Sequence, residues 1–368
     1  QQGFIRSMVV VRDGAVIGEG HWYGTPGTPQ QSRSVTKSVM SMLIGIATDQ
    51  GYFPHGNSSR MVDYLPPELV PTDPLKQNIL LAHLLTMTAG MADWFDESGD
   101  WEADWAELCR IHPLYLFRTN ADYLPLFVNE PPIAPVGDRH QYNGASFILL
   151  GLVIEKLSGQ SYEKYVKSKV LEPIGVTSMQ IGATRLAGRV DGEVLYYDPA
   201  SGSSVFAKDL GQSVPHQYGA WYLEAMDSHG AWIASASDLV RFACSFDSPE
   251  DCPLLTKEST QQMFERPDGL AGYDEQGKPK PKYYALGWSI QVDDDGGLRA
   301  GHGGSLPGTN TQLVRRSDGR NFAILFNART TPHTSRIVSS ILPELDAAIN
   351  EIESWPSHDL FGDSHAAD

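Results

Sequence analysis

The segment Ser34-Val35-Thr36-Lys37-Ser38-Val39-Met40-Ser41-Met42-Leu43-Ile44-Gly45-Ile46-Ala47 carries two signals at once. Val35, Val39, Met42, Leu43, Ile46 and Ala47 recur at helical spacing, which predicts a buried helix that begins at a serine and ends near Gly51. Ser34 and Lys37, three residues apart, then share one face at the start of that helix. Lys37 reaches the Ser34 hydroxyl there, and the free amides and positive dipole end favour an alkoxide. Proton acceptance by a lysine needs burial or neighbouring cations, and the apolar helix supplies burial. A serine at a helix start is also a common N-cap. The same spacing recurs at Ser161-Tyr162-Glu163-Lys164, where a polar helix makes it a surface feature.

Outward from this segment, residues 4 to 22 alternate like strands, with Asp13-Gly14 between Met8-Val9-Val10-Val11 and Ala15-Val16-Ile17 as a hairpin signal. Strand character returns at Tyr284 to Val292, Thr311 to Arg316 and Asn321 to Asn327, the last two joined by Ser317-Asp318-Gly319, with an amphipathic helix from about Ser335 to Ile349. Between these ends the chain reads as helices, at Leu75 to Met87, Ala145 to Leu157 and Tyr162 to Val170, and a short capped one at Ser237 to Phe242. The order predicts an α+β fold in which an antiparallel sheet is formed by both chain ends, with flanking helices and an inserted, mainly helical lobe. The expected boundaries are 1–55 with 230–355 for a discontinuous sheet domain, 56–229 for the lobe and 356–368 for an acidic, poorly ordered tail. The cleft between the lobes is the expected site.

Composition narrows the function. The 368 residues are 41% hydrophobic and 20% charged, so a large core is available and disorder is excluded. Forty-five acidic against 28 basic residues give a net charge of −17, which argues against nucleic acid and anionic membranes as partners. No apolar run approaches the length of a membrane span. The chain opens at Gln1, so a removed secretion signal is one reading, and compartment and oligomeric state stay open. Cys109, Cys244 and Cys252 are too few for a disulfide scaffold; free thiols are expected, with a Cys244–Cys252 bridge as the alternative.

Gly-x-Ser-x-Gly, His-Glu-x-x-His, a P-loop and zinc-spaced Cys/His sets are all missing, so no metal or other cofactor is expected. Two further motifs stand out. Tyr142-Asn143-Gly144 follows Pro135-Val136-Gly137 just before an apolar helix, and Gly301-His302-Gly303-Gly304-Ser305-Leu306-Pro307-Gly308 stands where a strand of the C-terminal sheet is expected. The order Ser-x-x-Lys, Tyr-x-Asn, then Lys-Thr-Gly or His-x-Gly resembles the class C β-lactamase-like branch of the penicillin-recognising serine hydrolases, with its esterase, D-aminopeptidase and aminohexanoate-dimer hydrolase relatives. His83-Leu84-Leu85-Thr86-Met87-Thr88-Ala89-Gly90-Met91, Leu149-Leu150-Gly151, Glu172-Pro173-Ile174-Gly175-Val176, Ser235 to Phe242 and Leu286-Gly287-Trp288 extend the likeness over most of the chain.

The resemblance implies a β-lactamase/transpeptidase-like fold with Ser34 as the acylated nucleophile, Lys37 holding its proton network and Tyr142 relaying the proton. It implies an oxyanion hole from the backbone amides of Ser34 and Ser305, with Gly303 and Gly304 admitting substrate along the strand. His302 takes the place of the lysine of true β-lactamases, with a hydrogen bond to Tyr142, a contact to a polar substrate group or a purely structural role as its expected duties. The family's second-motif Asn falls on Gly144, with Asn143 one place earlier, so a shift in the loop is needed to restore the amide. Trp94, Trp101, Trp105, Trp221 and Tyr222 fall in loops that build substrate pockets in this family, and His229 is expected to line the cleft. A small-molecule ester hydrolase acting through an acyl-enzyme is therefore expected. The alternatives are an amidase, D-stereospecific peptidase or β-lactamase-type hydrolase on small amides, or a relative that only acylates or only binds a ligand.

Overall fold

The structure, a computed structural model, describes residues 5–22, 24–65, 67, 70–91, 131–330, 337–355, 359 and 361. The first seven strands are β1 (Ile5–Arg12), β2 (Ala15–His21), β3 (Gln30–Gln31), β4 (Gln180–Ile181), β5 (Ser201–Ser203), β6 (Ser213–Pro215) and β7 (Trp232–Ala234). The remaining five are β8 (Lys282–Tyr284), β9 (Ser289–Val292), β10 (Leu298–Leu306), β11 (Thr309–Arg316) and β12 (Arg320–Phe326). An antiparallel sheet in the order β2-β1-β12-β11-β10-β9-β8 joins the two chain ends, as expected for this α+β fold. Asp13 and Gly14 close the first hairpin with φ of 49° and 80°, a pair of positive angles that matches the twist of the flanking strands.

Successive residues of β1 are apolar on both faces, and the structure covers both. Val9 and Val11 join the main core with Leu313, Ala323 and Leu325 beneath the helix Ala236–Cys244. Val10 points the other way, toward Ile17, Val314, Phe322 and Ile349 of the helix Ile337–Glu351. Helix α1 (Thr36–Asp49) lies inside the main core and is buried all round from Thr36 to Ala47, beyond the single stripe expected. Its small polar residues are satisfied by a loop: Ser38 Oγ donates to the Gly287 carbonyl at 2.8 Å and Ser41 Oγ to that of Leu286 at 2.5 Å.

Four expectations change. The helix foreseen over Leu75 to Met87 is two, Pro74–Gln77 and Leu81–Leu85, because Leu80 lies in an extended bridge opposite Arg60, with the Ile79 carbonyl accepting the Met61 amide and the Leu81 amide donating to the Ser59 carbonyl. Tyr162–Val166 is α-helical but widens into a π turn, Lys167–Leu171, ahead of Pro173. The short helix starts earlier, at Ala236, because Ser235 and Asp238 form a reciprocal cap. Two residues of the expected loose tail are docked: Asp359 accepts the Val16 amide at 3.0 Å, and Phe361 lies under the Arg241 guanidinium at 4.1 Å. Cys244 and Cys252 are free thiols, while Cys109, Trp94, Trp101 and Trp105 fall outside the described residues.

Candidate active site

A 3₁₀ turn, Arg33–Val35, leads into α1 and carries Ser34. Val35 is the capping residue of α1, and Ser34 makes no side-chain cap bond, so its hydroxyl is not spent on helix termination. Lys37, 1% exposed, donates to Ser34 Oγ at 3.3 Å and to the His229 carbonyl at 2.8 Å. The turn is pinned on both sides. Ser32 donates its amide to the Trp232 carbonyl at 2.8 Å, and the Ser32 carbonyl accepts Thr311 Oγ1 at 2.9 Å. Arg33 pays for this geometry with a φ of 53°, a left-handed conformation unusual for a residue other than glycine.

The second motif enters from the loop before the helix Ala145–Ser158. Tyr142 is 37% exposed, with the Lys37 ammonium 5.0 Å from its ring centre, so a cation lies against the phenol. Asn143 is fully buried and faces inward: its Nδ2 donates to the Gln141 carbonyl at 2.9 Å and its Oδ1 accepts the Ser146 amide at 2.9 Å. Gly144 lines the cleft instead. The loop shift that would return an amide side chain to the cleft has not occurred, because Asn143 is committed to the start of the helix.

The third motif lies on β10. Pro307-Gly308 is a two-residue turn pairing Leu306 with Thr309, so these form the hydrogen-bonded pair and the Ser305 amide, opposite Asn310, points away from β11. Pairing of β10 with β9 ends at Gly301, which leaves that edge open from residue 302 onward. Gly304 is required by close approach, since a Cβ there would lie 2.2 Å from the Ser32 carbonyl oxygen and 2.8 Å from Arg33 Cβ. His302 does not bond Tyr142, as both ring nitrogens are engaged elsewhere: Nδ1 lies 2.8 Å from the Gly303 carbonyl and Nε2 2.8 Å from the Tyr284 hydroxyl. Burial, and then the Lys37 cation, pull its pKa down to about 3, so it is neutral. A carbonyl only accepts, so Nδ1 carries the proton and Nε2 receives the Tyr284 hydroxyl.

These groups share a cleft of about 470 Å³ lined by Ser34, Lys37, Tyr142, Gly144, His229 and residues 302–306. No Asp or Glu among the described residues lines it, although the chain is strongly acidic. His229 is pushed well below the usual imidazole range by burial and by Lys37, so it is a second neutral histidine. Trp221 does not line the cleft: at 1% exposure it packs with Ile148, Leu223 and Met226, and the Arg33 guanidinium lies 5.2 Å from its ring centre. Tyr222 stacks on Phe206 at 4.8 Å. Tyr284, His140 and Met226 line the cleft and escaped the sequence reading, since each is a single residue outside any catalytic triplet. Among the described residues no cluster of three or more His, Cys, Asp or Glu side chains is placed to hold a metal ion, and no helix is long and apolar enough to cross a membrane.

Known proteins share this fold. The chain is 24% identical over 253 residues to Penicillin-binding protein 4* of Bacillus subtilis (strain 168), a match covering 67% of this chain and 51% of that one, so it spans about half the length of that curated relative. Its fold superimposes on a penicillin binding protein from Bacillus halodurans with a TM-score of 0.70 and 20% identity, covering 94% of this chain and 97% of that one. A D-stereospecific amidohydrolase from Streptomyces sp. superimposes with a TM-score of 0.66 and 20% identity, covering 88% and 90%. The profile of the Beta-lactamase family matches residues 6–340, nearly the whole described chain, and the protein belongs to that family of serine hydrolases.

Proposed function

We propose that the protein hydrolyses small carboxylic esters through an acyl-enzyme on Ser34. The observation that carries this reading is the inward turn of Asn143. With Gly144 at the cleft wall and Asn143 turned inward, the second motif offers no side-chain amide to the carbonyl of a β-lactam or peptide side chain. His302, neutral and bonded on both sides, supplies no cation where β-lactamases carry lysine, so a substrate carboxylate loses a charged anchor. An ester asks less of both anchors, because an alkoxide leaves more readily than the amide anion that a carboxamide would expel without prior protonation of its nitrogen.

In this mechanism Ser34 Oγ attacks the ester carbonyl carbon as its proton passes to the Tyr142–Lys37 pair. The carbonyl electrons move to oxygen, where the Ser34 and Ser305 amides donate to the developing charge. Collapse breaks the bond to the alcohol oxygen, which takes the proton from Tyr142. Water, deprotonated by the same pair, then attacks the acyl-enzyme and releases the acid and free Ser34.

The likeness to a D-stereospecific amidohydrolase favours a second reading, turnover of small amides. Initial rates on p-nitrophenyl butyrate, p-nitroanilide butyrate and a chromogenic cephalosporin, in wild type and Ser34→Ala, separate the two. Ester turnover that vanishes in the variant, with the anilide and cephalosporin far slower, supports the esterase. Anilide or cephalosporin rates equal to the ester rate replace it with the amide reading.

A further inference from the structure

We infer that Tyr284 is a positioning residue that clamps the oxyanion strand through His302. This rests on reading Ser34 as the nucleophile and the Ser305 amide as a donor to the oxyanion. The geometry locates a gap that the clamp fills. Ser289 is the hub of the sheet edge, paired with Tyr284 of β8 on one side and with Gly301 of β10 on the other. Beyond Gly301 the ladder to β9 stops, yet residues 302–306 must hold the Ser305 amide steady against Ser34. The next residue after the last ladder pair is His302, and the last residue of β8 is Tyr284, so their side chains take over where backbone pairing ends.

The chain of contacts is continuous. The Tyr284 hydroxyl donates to His302 Nε2 at 2.8 Å, and Nδ1–H donates to the Gly303 carbonyl at 2.8 Å. The second bond fixes the Gly303-Gly304 peptide, one residue from the Ser305 amide and beside the Ser32 carbonyl, which leaves no room for a Cβ at Gly304. Two glycines in a row give this stretch the backbone freedom that a substrate-admitting edge needs, and the imidazole offsets it. Burial holds the Tyr284 phenol protonated, with Tyr142 adding to the effect, so the donor persists across the working pH range. Tyr284 is itself wedged between His140, 5.0 Å away by ring centres, and the edge of Tyr142 at 6.4 Å. Loss of the hydroxyl leaves the buried Nε2 without a donor, so the ring is held on one side only, by the Gly303 carbonyl.

A displaced amide is felt where charge develops on the substrate oxygen, so Tyr284→Phe should lower kcat for p-nitrophenyl butyrate about tenfold and leave KM within about twofold. Because Tyr284 acts through His302, the double variant Tyr284→Phe/His302→Asn should be no slower than His302→Asn alone. Losses that multiply overturn the proposal, as does a Tyr284→Phe enzyme with unchanged kcat. ¹⁵N-histidine NMR of the wild type supplies a readout free of turnover and of any folding defect in the variants. The His302 proton is expected on Nδ1, held there by the Gly303 carbonyl, and in Tyr284→Phe it should stay there while the Nε2 resonance shifts for want of its donor; a wild-type proton on Nε2, or an Nε2 resonance unmoved in Tyr284→Phe, overturns the clamp whether or not the ester is a substrate.

Discussion

Replacing Gly304 with alanine tests the contact between the Arg33–Val35 turn, which carries the proposed nucleophile, and β10. The added Cβ would lie 2.2 Å from the Ser32 carbonyl oxygen, 2.3 Å from Thr311 Oγ1 and 2.8 Å from Arg33 Cβ. Thr311 can rotate, but the Ser32 oxygen is backbone, and its turn is tied to the Trp232 carbonyl by both the amide and the hydroxyl of Ser32. A tolerable carbon–oxygen contact therefore requires β10 and the turn to separate by about 1 Å, a displacement that costs roughly 10²-fold in rate when it misplaces catalytic groups. We expect kcat/KM for p-nitrophenyl butyrate to fall about 100-fold, near 2.7 kcal/mol in the barrier, with far-ultraviolet circular dichroism unchanged. Gly303→Ala is the matched control, because its Cβ meets Gln312 Oε1 at 3.1 Å, the movable end of a side chain. Its loss should stay within about fivefold, well short of that expected for a displaced backbone. A Gly304→Ala enzyme within about threefold of wild type would refute the claim that the two segments must touch at this distance.

Other outcomes follow from the same geometry. Tyr142→Phe keeps the ring beside Lys37 and removes only the proton relay, so ester kcat should drop by about 10²-fold or more; a loss under about threefold, in the same initial-rate assay, removes Tyr142 from the mechanism. Gly144 has φ −78° and ψ −31°, which any residue adopts, so Gly144→Asn should fold normally and raise cephalosporin turnover relative to the ester. An unchanged cephalosporin-to-ester ratio would mean the missing amide is not what disfavours β-lactams. His302, with its pKa pulled down to about 3, binds fewer protons in the folded than in the unfolded chain between that value and about 6.5. Its contribution to stability is therefore complete above that window and lost as pH falls through it, by about 1 kcal/mol per pH unit. Urea unfolding from pH 6 to 4 should show a shallower pH slope for His302→Gln than for wild type, and parallel slopes would contradict a neutral buried His302.

The hairpin, the buried helix and the returning strands were legible because each depends on local chemistry: Asp13-Gly14 for a turn with two positive φ angles, Val9-Val10-Val11 for a strand covered on both faces, and Val35 to Ala47 for helical period. Helix breaks were not. Ile79 and Leu81 bond Met61 and Ser59 across the extended bridge between Leu80 and Arg60, partners that no local window contains. Within the site, the spacing of Ser34 and Lys37 was sufficient to bring them together, and the motif order placed Tyr142 and His302 around them. The direction of the Asn143 side chain depended on a competition between cleft and helix start that sequence does not resolve, and the Ser146 amide won. Trp221 looked like a loop aromatic but packs behind Arg33, while Tyr284 became visible only when the end of the β9–β10 ladder could be located. The decoy at Ser161 and Lys164 is exposed at both positions, as its polar helix suggested.

The central claim is that Ser34 is the acylated nucleophile, and covalent labelling tests it most directly. Wild type and Ser34→Ala would be incubated with a fluorophosphonate ester, weighed intact by mass spectrometry and mapped by peptide. The account predicts one adduct per wild-type chain on the peptide carrying Ser34, loss of ester turnover in step with labelling, and no adduct in Ser34→Ala. An adduct on another residue, or ester turnover that survives complete labelling or the loss of Ser34, would contradict it.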